Sequence, residues 1–260
     1  MSGRAWIARE VPGIRTGADQ WLQKRAEVLG ATTFLGVPVR DFELGGREHF
    51  ICLLAAGLTP QSKLIDLGSG VLRLGYWLIH FLDPFCYCGI EPHPQRLAMG
   101  VDTILEAEIR ESKRPRFHSN PGFDTSVFGE KFDFFLAYSI WTHACKQQIR
   151  TMLEAFLRDA SDESLFLTSY LLAGEGRPDY QGEKWNGTSH ESDIPGCIYH
   201  SLGWIKAECR QRGLLARELG QDRTYGQSWL AVARAGAARA GSVPTLFGDL
   251  WLQPPPPLPP

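Results

Sequence analysis

The chain has 260 residues, 43% hydrophobic and 22% charged, with a formal net charge of -2 at pH 7. That is an ordinary globular composition, able to bury a substantial core, and it carries no electrostatic footprint of a nucleic-acid backbone partner. One domain of about 200 to 230 residues with tails is the simplest organisation. Residues 1–13 lack a basic stretch followed by an apolar run, and the longest uncharged apolar run, residues 50–58, is too short to span a bilayer. The expectation is a cytoplasmic protein with no membrane partner, and nothing in the sequence fixes its oligomeric state. Six cysteines without a C-x-x-C spacing are expected to be buried reduced thiols.

Apolar positions at helical spacing predict a first helix over residues 18–29, stopped by Gly30. It serves either as a lid over a pocket or as packing on the core. Residues 39–46 read as a loop closing on Gly45-Gly46, and a helix follows over 47–56. A strand over 64–67 runs into Gly68 and Gly70, and helical periodicity resumes over 71–82. A short aromatic-rich strand, 85–90, ends in Glu91-Pro92, and 94–111 reads as one long amphipathic helix with Pro94 in its first turn. A weak strand at 116–118 precedes the Asn120-Pro121-Gly122 turn.

The nearly continuous apolar run over 132–140 fits a strand buried on both faces. A helix over 146–157 and a strand over 164–172 come next, then a long polar segment, 173–195. A helix over 201–212 and two strands, 214–219 and 228–234, complete the body. Strands alternating with helices need crossover connections, so the sheet is expected to be mainly parallel and covered on both faces. The short link 220–227 demands a hairpin and therefore an antiparallel edge. Residues 236–260 read as a linker and a proline-rich tail, leaving 47–235 as the main domain and 1–46 as an N-terminal helix and loop.

The chemistry concentrates in Asp66-Leu67-Gly68-Ser69-Gly70. A strand entering a glycine turn that opens a helix lets a ligand approach the backbone at the head of the sheet. Glu91, closing the neighbouring strand, is placed to accept both ribose hydroxyls of a nucleoside. A nicotinamide dinucleotide would use the same carboxylate, but the third glycine of G-x-G-x-x-G is replaced by Arg73.

Together with Tyr87-Cys88-Gly89-Ile90-Glu91-Pro92, Ala137-Tyr138-Ser139-Ile140-Trp141-Thr142-His143 and the terminal hairpin, the run from Asp66 to Gly75 resembles the class I S-adenosylmethionine-dependent methyltransferases, in particular a small, mostly uncharacterised bacterial subgroup. The resemblance covers roughly residues 47–234. It implies an α/β, Rossmann-like, seven-stranded and mainly parallel sheet with an antiparallel terminal hairpin. It also implies S-adenosylmethionine as cofactor and a small-molecule acceptor bearing a hydroxyl or amine. By family position Asp66 supports the loop and the cofactor ammonium, Gly68, Ser69 and Gly70 form the cofactor turn, and Pro92 follows the ribose carboxylate. Arg73 either faces solvent or pairs with the methionyl carboxylate. Phe123 and Asp124 meet the adenine, and Ala137, Tyr138 and Ser139 lie beside the methyl donor. Leu72 stands where many such enzymes have a third glycine. Sulfonium methyl transfer needs mainly positioning, with a base where the acceptor must lose a proton. His143 is the chosen base, with His190 and His200 as the other candidates and His49 and His80 read as structural. Tyr180, Trp185, Tyr199 and Trp204 either wall a substrate pocket or pack. A catalytically inactive cofactor-binding partner and a nicotinamide oxidoreductase are the alternative functions.

Overall fold

The structure, a computed structural model, describes residues 15–31, 33–34, 37–38, 42–186, 197–223, 225–239 and 243. His190, the proline-rich tail and part of the polar segment 173–195 lie outside the described residues. In chain order the elements are α1 (Arg15–Gly30), β1 (Thr33–Phe34), β2 (Val37–Pro38), α2 (Phe42–Ala55), β3 (Leu64–Leu67), α3 (Gly75–Phe81), β4 (Tyr87–Ile90), α4 (Pro94–Met99), α5 (Ala107–Lys113), β5 (Arg116–His118), β6 (Phe132–Ala137), α6 (Lys146–Asp159), β7 (Ala160–Leu172), β8 (Tyr199–His200), α7 (Leu202–Gln211), β9 (Leu214–Gln221) and β10 (Ser228–Arg234). The main sheet runs β5-β4-β3-β6-β7-β10-β9, and β8 adds a two-residue parallel ladder to β7. Strands β3 to β7 pair in parallel, whereas β10 is antiparallel to both its neighbours. The expected hairpin is present, but it is β9 that forms the sheet edge while β10 lies inside it.

Alternation along the strands sorts side chains onto two buried faces. Leu64, Phe134, Leu136, Leu165 and Leu167 pack with α2 and α3 through Cys52, Leu53, Leu78 and Ile79. Ile65, Leu67, Phe135, Ala137 and Phe166 pack instead with α6 and α7 through Ile149, Leu153, Phe156, Ile205 and Cys209. Helix α1 joins through Val28, which clusters with Phe42, Val71 and Ile104, and through a 3.0 Å ion pair between Arg25 and Glu106. No described helix is long and apolar enough to cross a membrane.

Several local expectations are corrected. Residues 42–46 are helical, so Gly45-Gly46 lies within α2 rather than in a loop. Gly46 is there for closeness: a Cβ on it would collide with the Arg73 carbonyl and come within 2.6 Å of Trp77 Nε1. The helix after the glycine turn starts at Gly75, because Leu72 holds a left-handed φ of 63° and keeps 71–74 in the turn. The expected long helix over 94–111 is broken into α4, a π-helical turn (Gly100–Ile104) and α5. Ile104 packs toward α1 while Leu105 packs toward α3 and β4, and one regular helix cannot aim adjacent residues at both. Strand β6 ends at Ala137, since Ser139 turns left-handed at φ 58°. All six cysteines are free; four are buried, but Cys86 is half-buried and Cys197 is exposed.

The tight α2 contact carries a stability prediction. Gly46→Ala should destabilise the fold by about 1–3 kcal/mol in denaturant unfolding, as overpacking does. Gly30→Ala, where a Cβ meets nothing within 4 Å, should be neutral or stabilising.

Candidate active site

At the carboxyl ends of β3, β4 and β6 the chain leaves three turns around one cavity of about 290 Å³. The first turn is anchored by two backbone bonds, from Gly68 and Ser69 N–H to the Ile90 carbonyl at 2.7 and 3.1 Å. Gly68 and Gly70 have φ of 80° and 58°, a region nearly free of cost only for glycine. A Cβ on Gly70 would find only the Gly68 carbonyl, 4.0 Å away, so its missing side chain is open cavity space. Leu72 takes the same kind of φ at a cost of about 1–2 kcal/mol. It is fully buried, and Gly75 and Gly100 give its side chain room: Cβ atoms on them would lie within 2.9 and 2.8 Å of it.

Glu91 is buried, its Oε2 accepting from Gly70 N–H and its Oε1 from His93 N–H, both at 2.9 Å. Burial raises its pKa, opposed by those two N–H groups and by Arg96. Each carboxylate oxygen has two lone pairs, so one on each can still face the cavity it lines. Asp66 accepts from Tyr87 Oη at 2.8 Å. Burial pushes its carboxyl up to about 7, against the Tyr87 hydrogen bond and with help from the Glu91 charge.

Of the residues singled out from sequence, Asp66, Gly68, Ser69, Gly70, Arg73, Glu91, Pro92, Phe123, Tyr138, Ser139 and His143 line this one cavity. Ala137 and Asp124 are not among the lining residues. Ala137 is buried within β6, and the Asp124 carboxylate caps the 3-10 turn at Ser126 and pairs with Arg158 at 2.8 Å. Ser69 Oγ and Tyr138 Oη, buried at the cavity wall, have no hydrogen-bond partner among the described residues. His143 presents a defined tautomer: with Nδ1–H donating to the Asn186 carbonyl at 3.2 Å, Nε2 keeps its lone pair, 4.0 Å from Cys197 Sγ. Its ring stacks on Trp185 at 5.5 Å, and burial, with Arg96, lowers its pKa, so the imidazole is neutral at pH 7. The cap of α6 is Cys145 with Gln148, which leaves His143 out of any capping role.

His200 donates to the Ala144 carbonyl at 3.0 Å and is structural, as are His80, bonded to the Tyr76 carbonyl, and His49, bonded to that of Gly45. Among the four candidate aromatics only Trp185 lines the cavity. Tyr225 and Gln227, from the β9–β10 turn, and Arg96, in α4, also line it, and none was singled out from sequence. Their only signal was position, in a hairpin link and one turn beyond the ribose carboxylate.

No family model and no curated protein sequence matches the chain. Solved structures do. The magnesium protoporphyrin IX methyltransferase of Synechocystis PCC 6803, solved with S-adenosylmethionine bound, aligns with a TM-score of 0.53 over 85% of this chain and 92% of that one, at 16% identity. The sugar N-methyltransferase KedS8 from Streptoalloteichus sp ATCC 53650 aligns at 0.53 over 90% and 98%, at 15% identity. DhpI, solved with S-adenosylhomocysteine, aligns at 0.54 over 84% and 97%, at 12% identity. The fold is that of the class I methyltransferases. The methyltransferase fold accounts for the inserted antiparallel β10.

Asp66 gives this site a pH signature. Its folded pKa of about 7 lies above the ordinary 3.8. Between those values the folded chain holds a proton that the unfolded chain has released, so this group's contribution is present at low pH and lost as pH rises to about 7. The stability of the wild type relative to Asp66→Asn should therefore fall by roughly 1–4 kcal/mol between pH 4.5 and 7.5, at about 1.4 kcal/mol per pKa unit. Chemical denaturation at both values measures it, and a pH-independent difference would contradict the assignment.

Proposed function

We propose that the protein is an S-adenosylmethionine-dependent methyltransferase acting on a hydroxyl or amine of a small molecule. The observation that carries this reading is the buried Glu91 carboxylate at the carboxyl end of β4, facing the same cavity as the left-handed Gly68 and Gly70. The residues present fit the cofactor. Glu91 has lone pairs for two ribose hydroxyls, and Ser69 Oγ and Tyr138 Oη, without a hydrogen-bond partner among the described residues, can bond ligand atoms. Asp66 offers a carboxylate to the ammonium group and Arg73 a guanidinium to the methionyl carboxylate. Phe123, with Trp185 6.4 Å away, offers an aromatic surface to the adenine. In this reading Pro92 and Ser139 complete the walls, and Ala137, buried in β6, lies next to Tyr138 in the chain.

When bound, S-adenosylmethionine supplies a methyl group on a sulfonium leaving group, so the chain's own task is to orient and to manage a proton. His143 is the group for that proton. Its neutral imidazole, held by the Asn186 carbonyl, has Nε2 available to accept from an acceptor hydroxyl or ammonium. The apolar and aromatic neighbours of the cavity, Ile140, Leu171 and Trp185, suit an acceptor of low charge.

Titration calorimetry with S-adenosylmethionine tests the reading. Wild type and His143→Asn should bind alike, Glu91→Gln should bind about 10- to 100-fold more weakly, as loss of charged hydrogen bonds implies, and His143→Asn should lose about 100-fold or more in turnover once an acceptor is found. Absence of binding to wild type at millimolar cofactor would remove the proposal, and full turnover in His143→Asn would remove the base.

A further inference from the structure

Among the described residues, the carboxylates and cations that line the cavity are Asp66, Arg73, Glu91 and Arg96. The cofactor reading above employs the first three, for the ammonium group, the methionyl carboxylate and the ribose. Arg96 is the charge to which that reading gives no task, and it is a cation. No carboxylate among the described lining residues remains to receive a cationic acceptor.

Its place in the fold sharpens the point. Arg96 stands in α4, shortly after Glu91, and its N–H donates to the His93 carbonyl at 3.1 Å. His143 comes from the turn after β6. Because β3 lies between β4 and β6, the two side chains reach the one cavity from either side of the glycine turn. Arg96 is only 2% exposed, and a guanidinium so buried is costly unless negative charge answers it. Glu91 gives part of that answer, its carboxylate being favoured by Arg96. The same cation acts on His143, where it disfavours the imidazolium. A guanidinium carries five N–H donors, so one that already serves a protein group can serve a further oxygen.

The wall beside the base is flat and apolar. The His143 and Trp185 rings stack 5.5 Å apart with 22° between their planes, and Ile140 and Leu171 line the same cavity. Away from water, the Arg96 charge repels a second cation and stabilises an oxyanion more strongly than it would in solution.

We propose that the acceptor is a phenol-like acidic hydroxyl on a planar ring, and that Arg96 holds its oxyanion beside His143. This rests on the methyltransferase reading above and narrows its hydroxyl or amine to a hydroxyl. In the proton step the acceptor O–H bond breaks, the proton goes to His143 Nε2, and the electron pair stays on the oxygen that faces Arg96. An ammonium acceptor would instead bring its charge against the guanidinium.

The test uses 4-nitrophenol and 4-nitroaniline, matched in size and differing in the group offered, titrated into protein saturated with S-adenosylhomocysteine. Wild type, Arg96→Gln and Arg96→Lys are compared, with thermal unfolding to confirm that each is folded. Above the pKa of the free phenol, loaded wild type should bind the phenolate at least about 10-fold more tightly than the aniline, as a charge-assisted contact implies. Absorbance titration should show bound nitrophenol ionising at a lower pH than the free compound. Arg96→Gln should lose both the preference and the shift, and Arg96→Lys should keep most of both. If Arg96→Gln does not fold, the two wild-type readings decide the matter. Aniline binding as tight as the phenolate's, bound phenol ionising no more readily than free, both effects persisting in a folded Arg96→Gln, or binding of neither probe by loaded wild type would each overturn the proposal and leave the cofactor reading intact. Failure of wild type to bind S-adenosylhomocysteine would overturn the cofactor reading, and the proposal with it.

Discussion

A buried carboxylate that ties two turns together is the constraint on which this site depends. Glu91 takes the Gly70 N–H with one oxygen and the His93 N–H with the other, so the glycine turn after β3 and the turn after β4 are fixed to each other through a single side chain. Burying an ionisable group at 3% exposure is costly unless its oxygens find donors. Here the donors are backbone groups of the very turns that shape the cavity. The architecture and this side chain cannot be separated: an apolar residue at position 91 would leave the Gly70 and His93 N–H groups without their acceptor.

Around that anchor the chain holds conformations it would not choose alone. Leu72, Phe123 and Ser139 all have left-handed φ. Phe123 and Ser139 line the cavity, and Leu72 lies beneath the glycine turn, packed against α3 and the π-helical turn. Such strain persists only where surroundings over-determine it. For Ser139 the surroundings are explicit: its N–H donates to Ser169 Oγ at 2.7 Å, and its Oγ accepts from Gln227 Nε2 at 2.9 Å. The turn after β6, strand β7 and the β9–β10 turn are thus tied together at the cavity wall.

The elements that depend on local pattern were legible in the sequence. Two-faced apolar runs declared β3 and β6, the glycine turn and Glu91 declared the place where the turns after β3 and β4 meet at the cavity, and the short 220–227 link declared the hairpin. What could not be read was set by contacts distant in the chain. Gly45-Gly46 looks like a loop until Arg73 and Trp77 are seen to need the space. The apolar stripe of 94–111 looks continuous until Ile104 and Leu105 are seen to face different clusters. Tyr225 and Gln227 carry no motif. They reach the cavity only because β10 inserts beside β7, and no periodicity in a hairpin link announces that. Asp124 shows the opposite failure, a residue with a suggestive position whose carboxylate is engaged by its own turn and by Arg158.

The central claim is that Glu91 and the glycine turn recognise the ribose of a bound nucleoside cofactor. A crystal structure of the protein with S-adenosylhomocysteine tests it most directly. The account predicts both ribose hydroxyls within about 3 Å of the Glu91 carboxylate oxygens, with the sulfur end running past Gly68 and Gly70. A ligand bound elsewhere, or a ribose with no contact to Glu91, would contradict it.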